Sequence, residues 1–191
     1  GILYLSDALA KNDQIQPISV HHEQAAAFAA VGYAQYTNKL GSCIVSTGCA
    51  STNALTGVLN AWQDGVPLIV ISGQNKLQET VAFTGKNIRT FGSQEANLIP
   101  VISPITKYAT TLLRAEQVGE VMDQALWEAT HGVQGPVWID VPIDIQNAVI
   151  NKFSYPEEIS MRTYKPTVKG NMAQIKRVLK ELDRADRPII C

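Results

Sequence analysis

Ser42-Cys-Ile-Val-Ser-Thr47, Gly48-Cys-Ala-Ser-Thr-Asn53, the apolar run from Ala54 to Trp62 and Pro67-Leu-Ile-Val-Ile-Ser72 read as strand, loop, helix and strand in succession. Neither strand alternates apolar with polar residues, which is the pattern of strands buried on both faces in a parallel sheet. Residues 49–53 supply N-cap candidates for the helix, and Asp64-Gly65 closes it. The expectation is an α/β fold, a doubly wound parallel sheet with helices on both faces. Ligands of such sheets sit beyond the carboxyl ends of the strands. The residues after Thr47 and after Ser72 are therefore the first places to look for chemistry.

Composition narrows the class. The 191 residues suffice for one ordinary domain and part of another, and 46% apolar with 17% charged residues describes a globular chain with a large core. A net charge of −1 without a Lys/Arg cluster argues against nucleic acid and anionic membranes as partners. No apolar run reaches the ~18 residues of a membrane span, and no signal-peptide layout opens the chain, so the reading is cytoplasmic. Cys43, Cys49 and Cys191 have neither paired nor metal-type spacing, and three histidines far from any cysteine pair set metal binding by these residues aside.

Working outward, residues 15–20, Ile-Gln-Pro-Ile-Ser-Val, read as a short strand running into a small-residue helix from about Gln24. The turn between them carries Glu23. Flanked by alanines, Glu23 is expected to be partly desolvated, with its pKa raised and a proton to hold or trade. A plainer reading places it in the first turn of a helix, where an acid favours the macrodipole. Before it, Gly1-Ile-Leu-Tyr-Leu and Ser6-Asp-Ala-Leu-Ala-Lys read as the back half of a helix, with an upstream strand expected to be missing. Open strand edges would then favour association.

Downstream, residues 75–89 lack periodicity and read as a functional loop. A short helix over 94–101, a strand over 106–111, an amphipathic helix over 116–130 and a buried strand over 136–141 complete a domain over residues 1–150. Residues 151–170 read as a linker. Residues 171–191, with Met172, Ile175, Val178, Leu179 and Leu182 at helical spacing and Pro188-Ile-Ile-Cys191 as a strand start, read as the opening of a central α/β domain.

Nucleotide fingerprints are absent: there is no P-loop and no Gly-x-Gly-x-x-Gly after a strand. Thr47-Gly48-Cys49-Ala50-Ser51 lacks the spacing of a nucleophile elbow, and Gln63-Asp64-Gly65 merely ends a helix. What remains is the meeting of three strand ends, leading to Glu23, to residues 48–53 and to Gln74, around one crevice.

His22-Glu-Gln-Ala-Ala with Gly32-Tyr-Ala, Ser46-Thr-Gly-Cys-Ala-Ser-Thr-Asn53 and Val66-Pro-Leu-Ile-Val-Ile-Ser-Gly-Gln74 together resemble the pyrimidine-binding domain of thiamine-diphosphate enzymes. Within that superfamily they resemble the acetolactate synthase-like group. Gln94-Glu95, Ile105-Thr-Lys-Tyr108 and Gly135-Pro-Val-Trp-Ile-Asp-Val-Pro142 follow in the same order and spacing.

The resemblance implies that Glu23 hydrogen-bonds N1′ of the cofactor's aminopyrimidine, favouring the imino form that removes the thiazolium C2 proton; the cofactor then serves as electron sink. It implies cofactor-side positions for Gly48, Cys49, Asn53 and Gln74, with Asn53 equally suited to capping. Cys49-Ala50 stand where the family has Pro-Gly, and the plain alternative for Cys49 is a buried small apolar residue. The loop over 75–89 has no histidine pair, which favours a carboligating or acyl-transferring synthase over the simple decarboxylases. Also implied are Mg²⁺ and diphosphate sites on a domain outside this chain, a small 2-oxo acid substrate such as pyruvate, and a homodimer or higher homo-oligomer with its active site between subunits. The alternatives are another thiamine-diphosphate decarboxylase or acyltransferase, or a cofactor-free module of the same fold.

Overall fold

The computed structural model describes residues 1–150 and 170–189. Four parallel strands form one sheet in the order β1-β2-β4-β3: β1 Gly41–Val45, β2 Leu68–Gln74, β3 Tyr108–Thr111 and β4 Pro136–Pro142. Because side chains alternate across a strand, the two faces can be read from the sequence. Leu68, Val70 and the fully buried Trp138 look to one side, where they pack with α2 (Glu23–Thr37) and α4 (Leu55–Asp64). Ile69, Val137, Ile139 and Val141 look to the other, where α7 (Val118–Thr130) supplies Ala125 and Ala129. Two cores flank one sheet, as the unalternating strands require.

The helices follow from small residues at helical spacing. Ala27, Ala30, Val31 and Ala34 form the buried stripe of α2. Asn38, in the left-handed conformation, ends it. At Gly57 of α4 a Cβ would lie 2.5 Å from the Cβ of Ala27, so the absence of a side chain there lets the two helices meet.

Three sequence expectations are corrected. Residues 15–20 form no strand, and Ile15, Ile18 and Val20 are exposed: apolar content alone does not make a strand without a neighbouring ladder. Residues 49–53, expected to cap the helix, are themselves the helix α3 (Cys49–Asn53), with Gly48 at its N-cap position and Ala54 preceding α4. The expected helix over 94–101 shrinks to α6 (Ile99–Ile102), since Gln94 adopts a positive φ of 57°. The loop over 75–89 contains the short helix α5 (Val81–Thr84), capped by the Thr80 hydroxyl. Helix α1 (Leu3–Ala10) matches the early apolar segment, α8 (Ile143–Gln146) follows β4, and α9 (Met172–Arg184) carries the predicted helical pattern. The expected linker falls, apart from Gly170, outside the described residues, as do Ile190 and Cys191 of the expected final strand.

Candidate functional site

Two polar constellations lie at the carboxyl end of the sheet. The first is built where α2 starts and α3 ends. Glu23 is the first residue of α2, and Asn53 is the last of α3, which leaves β1 through the tight turn at Gly48. The Asn53 amide donates to Glu23 Oε2 at 2.7 Å and lies 3.3 Å from His22 Nε2. Asn53 thus joins Glu23 rather than capping α4, where Ala54 offers no side-chain bond.

This arrangement reverses the expected titration of Glu23. Its pKa is lowered, chiefly by the Asn53 hydrogen bond and then by the bond to its own backbone, against a smaller opposing effect of burial. The alanines around it leave the carboxylate half-exposed rather than desolvated. A carboxylate can accept about four hydrogen bonds. Two are used here, so Glu23 keeps the capacity to accept from a ring N–H.

Gly48 explains the turn. Its φ is 63°, and a Cβ there would overlap the backbone oxygen of Gln94, so the segment around Gln94 rests directly on it. The hydroxyl of Thr47, just before this turn, is buried without a hydrogen-bond partner. Cys49 is exposed at the start of α3, not buried as an apolar filler.

The second constellation surrounds Gln74. Its amide donates to the carbonyl of Ala96 at 2.9 Å and to Asp140 Oδ2 at 3.1 Å, while its oxygen accepts from the Asn75 amide at 3.1 Å. Ser72 donates to Asp140 Oδ1 at 2.6 Å and accepts from the indole N–H of Trp138 at 2.8 Å. Ser72 and Asp140 are register partners across β2 and β4. Burial of Asp140, 2% exposed, pushes its carboxyl up to about 6 despite the bonds from Ser72 and Gln74. A cavity of about 210 Å³ opens beside Gln74 and Asp140, between Leu77, Thr80, Phe83, Glu95 and Leu98.

The structure therefore joins Glu23 to Asn53 and places Gly48 one turn away, whereas Gln74 belongs to the second network. Residues 93–96 link the two. Gln94 covers Gly48, Ala96 accepts from Gln74, and Ser93 accepts from the Asn75 side chain at 2.9 Å. The Glu95 carboxylate accepts from the Val81 and Phe91 amides at 3.1 and 3.2 Å. Sequence reading missed Asp140, Ser72 and this linking segment as site elements. The signal available was an Asp inside an otherwise apolar strand.

The chain matches the family described as "Thiamine pyrophosphate enzyme, N-terminal TPP binding domain" over residues 1–101. It is 39% identical over 192 residues to the acetolactate synthase large subunit of Buchnera aphidicola subsp. Schizaphis graminum, covering all of this chain and 32% of that one. It is 38% identical over 192 residues to the acetolactate synthase isozyme 3 large subunit of Escherichia coli K12, with the same coverage. A probable acetolactate synthase large subunit of Methanocaldococcus jannaschii is 35% identical over 194 residues, covering all of this chain and 31% of that protein. The chain spans about a third of the length of these relatives. No helix among the described residues is long and apolar enough to cross a membrane. With its parallel sheet covered on both faces and its sequence match running from the first residue through α3, α4 and β2, the chain belongs to the thiamine pyrophosphate enzyme family, in the N-terminal TPP-binding domain.

Proposed function

We propose that this chain supplies the aminopyrimidine side of the active site in an acetolactate synthase-like enzyme. In this reading the enzyme decarboxylates a small 2-oxo acid such as pyruvate and transfers the two-carbon unit to a second acceptor. The observation that carries the reading is the Glu23–Asn53 pair, 2.7 Å apart where α2 begins and α3 ends. Its donor set suits the group. An ionised carboxylate with unused acceptor capacity is what an aminopyrimidine ring nitrogen bearing a proton needs, and Asn53 fixes which oxygen remains available.

When bound, thiamine diphosphate would supply the electron sink for the decarboxylation. The chain's own residues orient and hold. Glu23 takes and returns the proton at the ring nitrogen, Asn53 aims the carboxylate, and Gly48 lets the chain turn into α3 with residues 93–96 folded over it. Gln74 is proposed to act from beyond that segment, with Cys49 on the exposed side of the same turn. The diphosphate and Mg²⁺ are assigned to a part of the enzyme outside this chain, residues 171–191 to the opening of a central domain, and the complete site to the interface of a homodimer or larger homo-oligomer. Phe28, Tyr33 and Tyr36, exposed along the helix that begins with Glu23, support a subunit contact on that side.

The test is exchange of the cofactor's C2 proton in the full-length protein, wild type against Glu23→Gln. The expected result is an intact fold with exchange slowed by ~10²-fold or more, the usual scale of lost acid–base help. Unchanged exchange removes Glu23 from this role. A parallel assay of pyruvate turned over to acetolactate or acetaldehyde separates the synthase from another 2-oxo acid enzyme.

A further inference from the structure

Asp140 is a carboxylate in the centre of the sheet with no place in the chemistry above, yet all its side-chain partners lie on the face that leads to the site. Ser72, Gln74, Trp138 and Asp140 alternate with Ile71, Gly73, Ile139 and Val141, so the four share one side of the sheet. That side is the one against which Ala96 and Leu98 pack.

We propose that Asp140 is a positioning residue: with Ser72 it orients the Gln74 amide, and through the Gln74 bond to the Ala96 carbonyl it fixes residues 93–96 over Gly48, one turn from Asn53. The inference rests on the reading of the Glu23 edge as a cofactor site, and extends it to a group in the sheet that touches neither cofactor nor substrate.

The hydrogen-bond directions are specific. The Gln74 Nε2 group donates twice, to Ala96 and Asp140, and its Oε1 accepts from Asn75. Its orientation is therefore set by acceptors on one side and a donor on the other. Ser72 Oγ receives the Trp138 indole N–H, so its own hydrogen is committed to Asp140. An aspartate accepts from both Ser72 and Gln74. An asparagine of the same shape has only one acceptor oxygen. Turned towards Ser72, it confronts the Gln74 amide donor to donor. Flipping Gln74 to relieve this sets its oxygen against the Ala96 carbonyl and its NH₂ against the Asn75 amide. Turned the other way, it leaves the Ser72 hydrogen without an acceptor.

The test uses the full-length protein with Asp140→Asn and Gln74→Met, alone and combined, and Ser72→Ala should Asp140→Asn fail to fold. Without cofactor, hydrogen–deuterium exchange of peptides spanning residues 91–98 is expected to rise by about threefold or more in each single variant, with β1 and α2 unchanged. The double variant should add little, since both changes cut one chain of bonds. Thiamine diphosphate should bind more weakly in each, by ~10-fold or more, the scale on which losing a supporting contact behind a ligand site acts. Exchange that rises equally throughout β2, β3 and β4, or stays at the wild-type rate over 91–98, overturns the proposal. So does faster exchange there with wild-type cofactor affinity. If the wild-type protein binds no thiamine diphosphate, the cofactor reading falls, while the exchange result still decides whether Asp140 positions residues 93–96.

Discussion

Asp140 also makes a thermodynamic prediction with a definite sign. Its folded-state pKa is raised from 3.8 to about 6, primarily by burial. A pKa difference of one between folded and unfolded states is worth about 1.4 kcal/mol, so ionised Asp140 costs the native state about 3 kcal/mol relative to its protonated form. For a group whose folded pKa exceeds its unfolded one, the stabilising effect is complete below pH 3.8 and is lost as pH rises through about 6. Between pH 7.5 and 4.5 roughly 2 kcal/mol of the 3 should be recovered, because the unfolded carboxyl begins to protonate near the lower end. Glu95 lines the same cavity as Asp140.

The assay is urea unfolding of the wild type and Asp140→Asn at pH 7.5, 6.0, 5.0 and 4.5. Subtracting the variant cancels the other carboxylates. These include Glu23, whose lowered pKa works in the opposite direction, its contribution being present at neutral pH and lost on acidification. The wild-type free energy of unfolding, relative to the variant, should grow by about 2 kcal/mol as pH falls to 4.5. A difference that stays level within about 0.5 kcal/mol would refute the raised pKa, and a difference that shrinks would mean Asp140 is better stabilised as an anion than its burial allows.

Three further outcomes are expected. Gly48→Ala should destabilise the protein by about 2 kcal/mol or more in chemical unfolding, because it combines a left-handed φ with a Cβ that overlaps the Gln94 backbone oxygen, and it should weaken cofactor binding as well. Gly57→Ala should cost about 1–3 kcal/mol by forcing α2 and α4 apart at Ala27, measured the same way, while leaving the Glu23–Asn53 pair able to form. A thiol reagent followed by peptide mapping should label exposed Cys49 quickly and Cys43 only on unfolding, since burial hides Cys43 and pushes its thiol up to about 12.

Much of this fold was legible because continuous apolar strands and small-residue helices state their burial directly. The 42–47 and 67–72 runs became β1 and β2, and the 136–141 run became β4. Residues 15–20 failed because a strand depends on a partner ladder that composition does not reveal. Residues 49–53 failed differently. Ser51, Thr52 and Asn53 have capping chemistry, but Ser51 bonds back to the Ser46 carbonyl, Thr52 to that of Cys49, and Asn53 across to Glu23, so α3 forms through them. The position of Glu23 was readable, but its titration was not. Small neighbours suggested burial, whereas solvent access and an amide thirty residues away decided the sign.

The most informative sequence feature was a gradient hidden within apparently uniform strands. On one face β2 reads Leu68, Val70, Ser72, Gln74, and β4 reads Pro136, Trp138, Asp140, Pro142. Read every second residue, β2 passes from apolar at its start to polar at its carboxyl end, and β4 turns polar at Asp140 before closing on Pro142; the carboxyl end is where ligands of parallel sheets bind. A leucine-sized apolar residue in place of Asp140 would remove a buried charge but leave the Ser72 hydroxyl and a Gln74 N–H without their acceptor, so its gain and its cost oppose each other. Its presence is thus poorly explained by stability and better explained by the orientation it imposes on Gln74. That role makes a joint demand on the two experiments. Asp140→Asn should lose little stability at pH 7.5 while loosening residues 93–96, and a variant that is broadly destabilised at that pH without local loosening would assign Asp140 to the core alone.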